Sequence, residues 1–344
     1  MIDRQGGPGH GPPKPPQHSA RPGKPGAHLD IALTLAGVAV LAALPAVLGP
    51  YALSIVINIL FFAYLGQAWN IVGGYAGQLS AGHAAFVGVG GYTAAVLAAE
   101  TGLTPWLGML AGAGLAAVLG ALIGYLGFRF GLRGFYFVLL TVAFAEVCRI
   151  VANNWERVGG AVGFYITFTG DPRQMSFSDD RAWYYIALAL LLLATGVVFL
   201  LERRRFGIYL TAIREDEAAC EALGVDTLRV KLAAMTLSAF LTGLAGAFYA
   251  YRYSSLQPNA VFGVPLSVEI ILRPIVGGAG TLMGPIVGSF ILTPLGELSR
   301  AWFGQSGWHG AHLIVYGILL VAVVLFVPQG ATPWLTERLR RRRR

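Results

Sequence analysis

Long apolar runs recur along most of the 344-residue chain, and they limit its fold more than any other feature. A helix needs ~20 apolar residues to cross a hydrocarbon core ~30 Å thick, and most of these runs approach that length. We therefore predict an all-α membrane protein, a polytopic bundle of about ten transmembrane helices in one membrane domain over residues 29–330. The ten runs, of which the eighth and ninth are short, are 29–49, 51–72, 81–99, 105–126, 135–153, 183–201, 230–251, 263–277, 284–299 and 311–328.

The distribution of Lys and Arg favours one orientation of these helices. With the amino terminus inside, the cytoplasmic segments 1–28, 127–134, 202–229 and 328–344 contain 17 basic residues, and the opposite side contains five. This excess is what the positive-inside rule requires, so we expect both termini in the cytoplasm. Membrane orientation also accounts for the net charge of +8, which therefore does not indicate a nucleic-acid partner.

The two ends of the chain differ in composition from the membrane domain. Residues 1–28 are rich in Pro, Gly and His and contain no apolar run. This composition predicts a disordered cytoplasmic segment rather than a cleaved signal. Residues 331–344 are predicted to form a basic cytoplasmic tail. Cys148 and Cys220 have neither metal-ligand nor disulfide spacing, and we assign them no role.

Two connections between the runs are rich in glycine yet largely apolar. Residues 73–83 follow the second run, and residues 277–285 follow the eighth. Irregular backbone at membrane depth is tolerated only inside protein or beside a wet cavity. We therefore predict broken or re-entrant segments beside a translocation path. Other glycines, such as Gly108 and Gly112, are spaced four residues apart, which indicates closely packed helices.

The cytoplasmic connection at residues 202–229 is predicted to contain a short amphipathic helix. Asp216 and Glu217 lie near the start of this helix, and Gly224 is suited to end it. Such a helix suits docking to a soluble partner. It suits a position on the lipid headgroups equally well, because the arginines at 203–205 would also fit there.

Residues 213–224 of this connection resemble the EAA loop of ABC-importer permeases, the coupling helix that fits a groove on the ATPase. Three further stretches, at 74–86, 136–146 and 277–285, resemble the branched-chain amino acid permease family of ABC importers, in particular its LivM-like subunit. The four stretches follow one another in the expected order. By this resemblance, the residues that couple to the ATPase are Arg214, Glu215, Asp216, Glu217, Ala218, Ala219 and Gly224.

The resemblance implies one half of a pore in the plasma (inner) membrane of a bacterium. Besides the lipid bilayer, the implied partners are ABC ATPase subunits, a second homologous permease subunit and an extracytoplasmic solute-binding protein. The implied solute is a branched-chain amino acid (Leu, Ile or Val), moved by alternating access while the partner subunit uses ATP. Urea and short-chain amides, which close relatives carry, stay open as alternatives.

Polar side chains inside the predicted spans are candidates for lining the translocation path. Glu146 has an arginine three residues further on, and Glu269 has one four residues further on, so each pair is predicted to share a helix face. Interhelical hydrogen bonding is the alternative role for most of the others, and for His83 a satisfied core position is favoured. The candidate path residues are Gln67, Asn70, Gln78, Ser80, His83, Thr141, Glu146 and Glu269.

The motifs that the sequence lacks also bear on function. No G-x4-G-K-[ST] loop is present, so we expect a transport subunit that is not an enzyme, binds no cofactor or metal and relies on another chain for ATP hydrolysis. A secondary transporter or channel is the rival from another class, but it would need a coupling-ion site or filter. A membrane-embedded enzyme is disfavoured, because no G-x-S-x-G elbow is present.

Overall fold

A computed structural model of the chain describes residues 41–304 and Gly317. The predicted disordered segment 1–28, most of the first apolar run, the tenth run apart from Gly317 and the basic tail 331–344 lie outside these residues. The chain divides into two units. The first ends at Val47, and its described part contains the 3₁₀ turn Leu44–Ala46. The second begins at Leu48 and contains all the elements that follow.

Helices make up most of the second unit. In chain order they are α1 (Pro50–Asn70), α2 (His83–Thr101), α3 (Pro105–Arg129), α4 (Phe135–Asn154), α5 (Asp180–Arg203), α6 (Arg205–Glu215), α7 (Glu217–Ala222), α8 (Thr227–Tyr253), α9 (Pro258–Val261), α10 (Val264–Gly277) and α11 (Gly284–Gly304). The connection between α4 and α5 contains the 3₁₀ turns Glu156–Val158, Gly160–Val162 and Pro172–Gln174. It also contains strand β1 (Phe164–Tyr165), which pairs antiparallel with β2 (Ser255–Leu256) after α8.

Seven segments of the described chain are long and apolar enough to cross a membrane. They correspond to the second to eighth apolar runs, which confirms the predicted polytopic helical bundle. The ninth run forms α11, a helix of 21 residues that is not among the seven. The predicted count of ten is therefore approximate. The seven segments are Pro50–Tyr75, His83–Thr101, Pro105–Arg129, Phe135–Asn154, Asp180–Arg203, Thr227–Tyr253 and Pro258–Gly277.

The ends of these helices follow local sequence signals. Pro50 and Pro105 lie at the start of α1 and α3. Proline has no backbone N–H, but an N–H at this position would have no acceptor within the helix. Gly102 ends α2 with a φ of +67°, a conformation that glycine adopts readily. Asp179 and Asp226 precede α5 and α8, and each carboxylate accepts a hydrogen bond from a free backbone N–H of the first turn.

Helices α2, α3 and α8 pack tightly together because glycines lie where their backbones approach. A Cβ atom on Gly90 of α2 would overlap the carbonyl oxygen of Gly243 in α8. A Cβ atom on Gly112 of α3 would likewise overlap the carbonyl oxygen of Gly90. Gly108, one turn earlier, lies against Ala94 of α2. The close packing predicted for the pair Gly108 and Gly112 is therefore confirmed.

Helix α1 is the centre of the other half of the second unit. Helices α5, α8, α10 and α11 all pack against it, and most of its carboxyl-terminal half is buried. Gly66 permits this approach, since a Cβ atom there would lie 3.0 Å from Cβ of Pro285 and 3.4 Å from Cδ of Pro274. Buried polar residues at the end of α1 are thereby placed beside the connection between α10 and α11.

Both glycine-rich connections interrupt regular helix, as predicted. The first Gly-rich segment, residues 73–83, begins inside a single π-helical turn (Ile71–Tyr75) that prolongs α1, and its backbone is irregular from Ala76 until α2 begins. The second Gly-rich segment, residues 277–285, is irregular between the end of α10 and the start of α11. The first segment is largely buried, so its irregular backbone lies against protein, whereas residues 279–283 of the second segment are partly or fully exposed.

Candidate functional site

The end of α1 holds the second Gly-rich segment through two side-chain amides. The amide nitrogen of Asn70 donates to the carbonyl oxygen of Thr281 (3.0 Å), and its amide oxygen accepts from the N–H of Gly280 (2.8 Å). The amide nitrogen of Gln67 donates to the carbonyl oxygen of Leu282 (2.6 Å). Both side chains are fully buried, so these bonds fix the segment against α1.

Arg214, at the end of α6, joins the two Gly-rich segments. Its Nη1 donates to the carbonyl oxygen of Gly74 in the first segment at 3.0 Å. Gly280 of the second segment lies beside the same guanidinium, since a Cβ atom there would be 2.6 Å from Nη1 and 2.9 Å from the Gly74 oxygen. Nη2 pairs with the carboxylate of Glu215 at 2.8 Å. The connection between α5 and α8 and both irregular segments therefore meet at one guanidinium.

The predicted short helix is present as α7, but a second helix, α6, precedes it. The chain breaks between them at Asp216, which has an extended conformation and accepts a hydrogen bond from the N–H of Ala219 at 3.0 Å. This carboxylate caps α7, as expected for Asp at a helix start. Gly224 ends the helix with a φ of +83°, and the next N–H, of Val225, bonds to the carbonyl oxygen of Cys220.

Glu217 faces the membrane bundle and not the surface. Its carboxylate accepts a hydrogen bond from Nζ of Lys231 on α8, and Arg133 from the connection between α3 and α4 lies 3.3 Å from it. Lys231 is buried and its ammonium lies 4.9 Å from the ring centroid of Phe128. Glu217 thus ties α7 to α8 and to the end of α3.

The outer surface of α7 consists mainly of small apolar side chains, with Glu221 exposed beside them. Ala218, Ala219 and Ala222 are exposed, and Leu223 at the end of the helix is 85% exposed, whereas Cys220 is buried. Of the residues predicted to couple to an ATPase, Arg214 and Glu217 contact the rest of the chain, whereas Ala218 and Ala219 are exposed. Together with Ala222 and Leu223, which were not predicted, these two alanines present a surface that a partner can contact.

Two candidate path residues, Ser80 and His83, belong to a buried hydrogen-bonded chain. Nδ1 of His83 lies 3.0 Å from the hydroxyl of Ser80, and Nε2 lies 2.9 Å from the hydroxyl of Ser238. Because Ser238 donates its own proton to the carbonyl oxygen of Ala68 (2.7 Å), it accepts from Nε2–H of His83, and Nδ1 accepts from Ser80. The chain links α1, α2 and α8.

Two other candidate path residues lie near the first Gly-rich segment. The hydroxyl of Thr141 in α4 accepts from the N–H of Ala81 (3.1 Å) and donates to the carbonyl oxygen of Val138 (2.8 Å). Gln78 is half-buried and donates to the carbonyl oxygen of Ala76 at 3.2 Å. Thr141 thereby holds the start of α2 against α4.

The two predicted Glu–Arg pairs are both present, in different surroundings. Glu269 and Arg273 of α10 are buried, 3.6 Å apart, and the guanidinium lies 3.6 Å from the ring centroid of Phe62. Glu146 and Arg149 of α4 lie at the protein surface and form two hydrogen bonds, of 2.9 and 2.5 Å.

Sequence reasoning missed the residues that partner these side chains. Lys231, Arg133, Ser238 and Asn259 were not among the candidates, although a lone lysine inside an apolar run is a signal that a buried acid lies nearby. Glu202, which accepts a 2.5 Å hydrogen bond from Tyr75 of the first Gly-rich segment, was also missed. Within residues 41–304 and 317, no group of three His, Cys, Asp or Glu side chains is arranged to hold a metal ion.

Comparison with known proteins identifies the family. A family model described as "Branched-chain amino acid transport system / permease component" matches residues 51–324. The chain belongs to this permease family. No solved structure matches it.

The permease is similar to several curated proteins. It is 31% identical to the high-affinity branched-chain amino acid transport system permease protein LivM of Escherichia coli (strain K12), over 82% of this chain and 70% of that one. The LivM protein of Salmonella typhimurium gives the same identity and coverage. The ribose import permease protein RbsC of Escherichia coli (strain K12) is 25% identical, over 68% of this chain and 73% of that one. This permease is therefore a multi-pass membrane protein and a transport component.

Proposed function

We propose that this permease is the membrane-spanning subunit of an ATP-driven ABC importer of branched-chain amino acids (Leu, Ile or Val). In this proposal it pairs with a second homologous permease in a bacterial plasma (inner) membrane, with both termini in the cytoplasm. ABC ATPase subunits dock beneath it, and an extracytoplasmic binding protein delivers the solute. The chain has no ATPase site of its own, and the ATP is used by its partners. The similarity to LivM proteins supports the choice of solute.

The observation that carries the proposal is the position of α6 and α7. Helix α7 presents exposed small apolar residues, and Arg214 at the end of the preceding helix α6 contacts both Gly-rich segments. A partner that pushes on α7 therefore acts on two interruptions of the membrane helices through one side chain.

A second connection runs from α7 into the helical bundle. Glu217 bonds to Lys231, and α8, which carries this lysine, packs against α2 and α3 across close glycine contacts. Closely packed helices move as a body, because there is no free volume to absorb a displacement. In the proposed cycle, closure of the ATPases displaces α7, this displacement moves α8 with its neighbours, and the solute path opens to alternate sides.

Most of the candidate path residues hold the segments that would move in this cycle. Gln67 and Asn70 hold the second Gly-rich segment, and Ser80, His83 and Thr141 hold the start of α2. We propose that these five residues position the moving segments beside the path. Gln78 and Glu146 are more exposed, and Glu269 is buried beside Arg273.

The docking surface can be tested by placing a charge on it. We expect Leu223→Glu to abolish copurification of the partner ATPase, since an exposed apolar contact would be replaced by a carboxylate at the interface. Val162→Glu, at a residue that is 74% exposed in the connection between α4 and α5, is the matched control and retains the complex. If the Leu223→Glu complex still copurifies and couples ATP hydrolysis to transport, the docking assignment is wrong.

The solute can be tested separately. The complete transporter in liposomes, with its binding protein, is expected to take up labelled leucine, isoleucine and valine in an ATP-dependent manner. Urea and ribose serve as comparison solutes. Uptake of either of these without uptake of the three amino acids would refute the solute, while leaving the coupling site in place.

A further inference from the structure

Glu146 and Arg149 lie on the least buried of the seven candidate spans, helix α4. Counted along the 20-residue helix, Glu146 is near the middle, roughly 16 Å from Phe135 and 12 Å from Asn154 at about 1.5 Å per residue. Its side chain is nevertheless 47% exposed, and that of Arg149 is 29% exposed. A charged pair therefore opens onto the surface of the subunit at the depth of the hydrocarbon core.

Lipid is an unfavourable environment for this surface. Ionised groups in transmembrane segments face a partner protein or a water-filled cavity, because hydrocarbon offers them neither hydrogen bonds nor solvation. The pair lies too far from the helix ends for Glu146, with its short side chain, to reach the headgroup region as long basic side chains can. The exposed face of α4 around Glu146 is therefore expected to border a water-filled path or a partner subunit rather than lipid.

Polar groups from a second element extend the same surface. Nη1 of Arg149 donates to the amide oxygen of Asn259 in α9 at 2.6 Å, and the amide nitrogen of Asn153 lies 3.4 Å from the same oxygen. Asn259 is exposed. The amide oxygen of Asn153 is buried and has no hydrogen-bond partner among the described residues. Helix α9 is the first turn of the span Pro258–Gly277 and is separated from α10 by Phe262 and Gly263, and broken helices are where transporters place solute sites.

The pair retains hydrogen-bonding capacity. Arg149 has five N–H groups, and its bonds to Glu146 and Asn259 use three of them. Each carboxylate oxygen of Glu146 accepts one bond from Arg149 and has a further lone pair. A guanidinium and a carboxylate side by side, each with unused capacity, match the carboxylate and ammonium of an α-amino acid.

We propose that Glu146 and Arg149, with Asn259, line the solute path and bind the zwitterionic end of the transported amino acid. Glu146 accepts from its ammonium group, and Arg149 donates to its carboxylate. This inference rests on the proposed function and adds to it the residues and charges that recognise the solute. It also explains why charged side chains lie on the exposed face of α4 at a depth where most exposed side chains of the bundle are apolar.

The test uses the complete transporter in liposomes with its binding protein. We expect Arg149→Gln and Glu146→Gln each to lower the maximal rate of leucine uptake about tenfold or more, because a charge-assisted contact to the solute is lost. Copurification with the partner subunits and stimulation of ATP hydrolysis by the binding protein are expected to stay within about twofold of the wild type. If the pair were only structural, these variants would lower assembly of the complex together with uptake.

Two further variants complete the design. Arg252→Gln removes another Arg–carboxylate pair of the same chain, with Asp180 at 3.1 Å, and is expected to retain uptake. The exchange Glu146→Arg with Arg149→Glu restores an ion pair but presents the charges to Asn259 and the solute in the reverse order, so uptake stays low.

Each outcome has a defined meaning. Normal uptake by both single variants, full recovery in the exchange variant, or parallel loss of assembly and uptake would overturn the role of the pair. Absence of leucine, isoleucine and valine uptake by the wild type would instead overturn the proposed function, and the ligand named here with it.

Discussion

Two Glu–Arg pairs with nearly the same spacing lie in transmembrane segments of this permease, in opposite surroundings. Glu269 and Arg273 are 8% and 1% exposed, and Phe62 covers the guanidinium. Glu146 and Arg149 open to the surface, and Arg149 donates to an exposed asparagine. The same chemical pair thus joins helices at one place and offers unused hydrogen-bonding capacity at the other.

The difference arises from helix rotation and not from the pairs themselves. In α10 the pair faces α1, which supplies Phe62, and the backbone of α11 approaches so closely that Gly288 contacts Arg273. In α4 the buried residues are Phe137, Thr141, Ala145 and Ala152, and Glu146 comes directly after Ala145. Successive side chains on a helix are rotated by about 100°, so a residue next to a buried one can point to the surface.

The largest expected effect follows from removing the buried cation. Arg273→Met leaves the Glu269 carboxylate buried without its counter-charge, which typically costs ~3–5 kcal/mol. We expect little folded protein, or a much lower midpoint of thermal unfolding in detergent.

The double variant Glu269→Gln with Arg273→Met is the control for this prediction. It removes both charges, so it is expected to recover most of the lost stability. A single Arg273→Met variant with the wild-type unfolding midpoint would contradict the buried position of the pair.

The sequence was sufficient to predict the helices and the existence of both pairs. Hydropathy located the second to eighth runs, and the spacing of Glu146 with Arg149 and of Glu269 with Arg273 placed each pair on one helix face. The start of α7 at Asp216 and its end at Gly224 could also be predicted from the sequence, because both signals act within one helical turn.

The sequence was not sufficient to predict which side chains meet across the chain. Arg214 was predicted to contact an ATPase, and nothing local indicated that it also reaches Gly74, 140 residues away. Asn259 lies 110 residues from Arg149, in a four-residue helix whose position depends on the break in the span. Such contacts depend on packing that one chain's pattern does not encode.

A smaller loss of stability is expected at helix α7. Lys231→Met removes the buried partner of Glu217, but Arg133 still lies 3.3 Å from that carboxylate and is exposed to solvent. We expect a cost of roughly 2 kcal/mol, below that of a fully abandoned buried charge. The measurement is again the unfolding midpoint, with Glu217→Gln and Lys231→Met combined as the rescue. A loss as large as that of Arg273→Met would mean that Arg133 contributes nothing.

The packing around the buried pair can be probed without touching a charge. A Cβ atom at Gly288 would overlap the carbonyl oxygen of Arg273, so Gly288→Ala is expected to cost ~1–3 kcal/mol by forcing α10 and α11 apart. Gly114→Ala is the matched control, because no atom lies within 4 Å of a Cβ there and alanine favours the helix. Equal unfolding midpoints for the two variants would show that α10 and α11 are less closely packed than described.

The smallest expected effect on stability is at the exposed pair. Arg149→Gln leaves Glu146 at the exposed surface of α4, so no buried charge is stranded and the glutamine can still bond to Asn259. We expect an unfolding midpoint in detergent that equals that of the wild type. Unlike Arg273→Met, this variant is expected to fold normally and to fail only in transport. A marked loss of stability would mean that the pair acts as structural glue, as its buried counterpart does, and the contrast between the two would disappear.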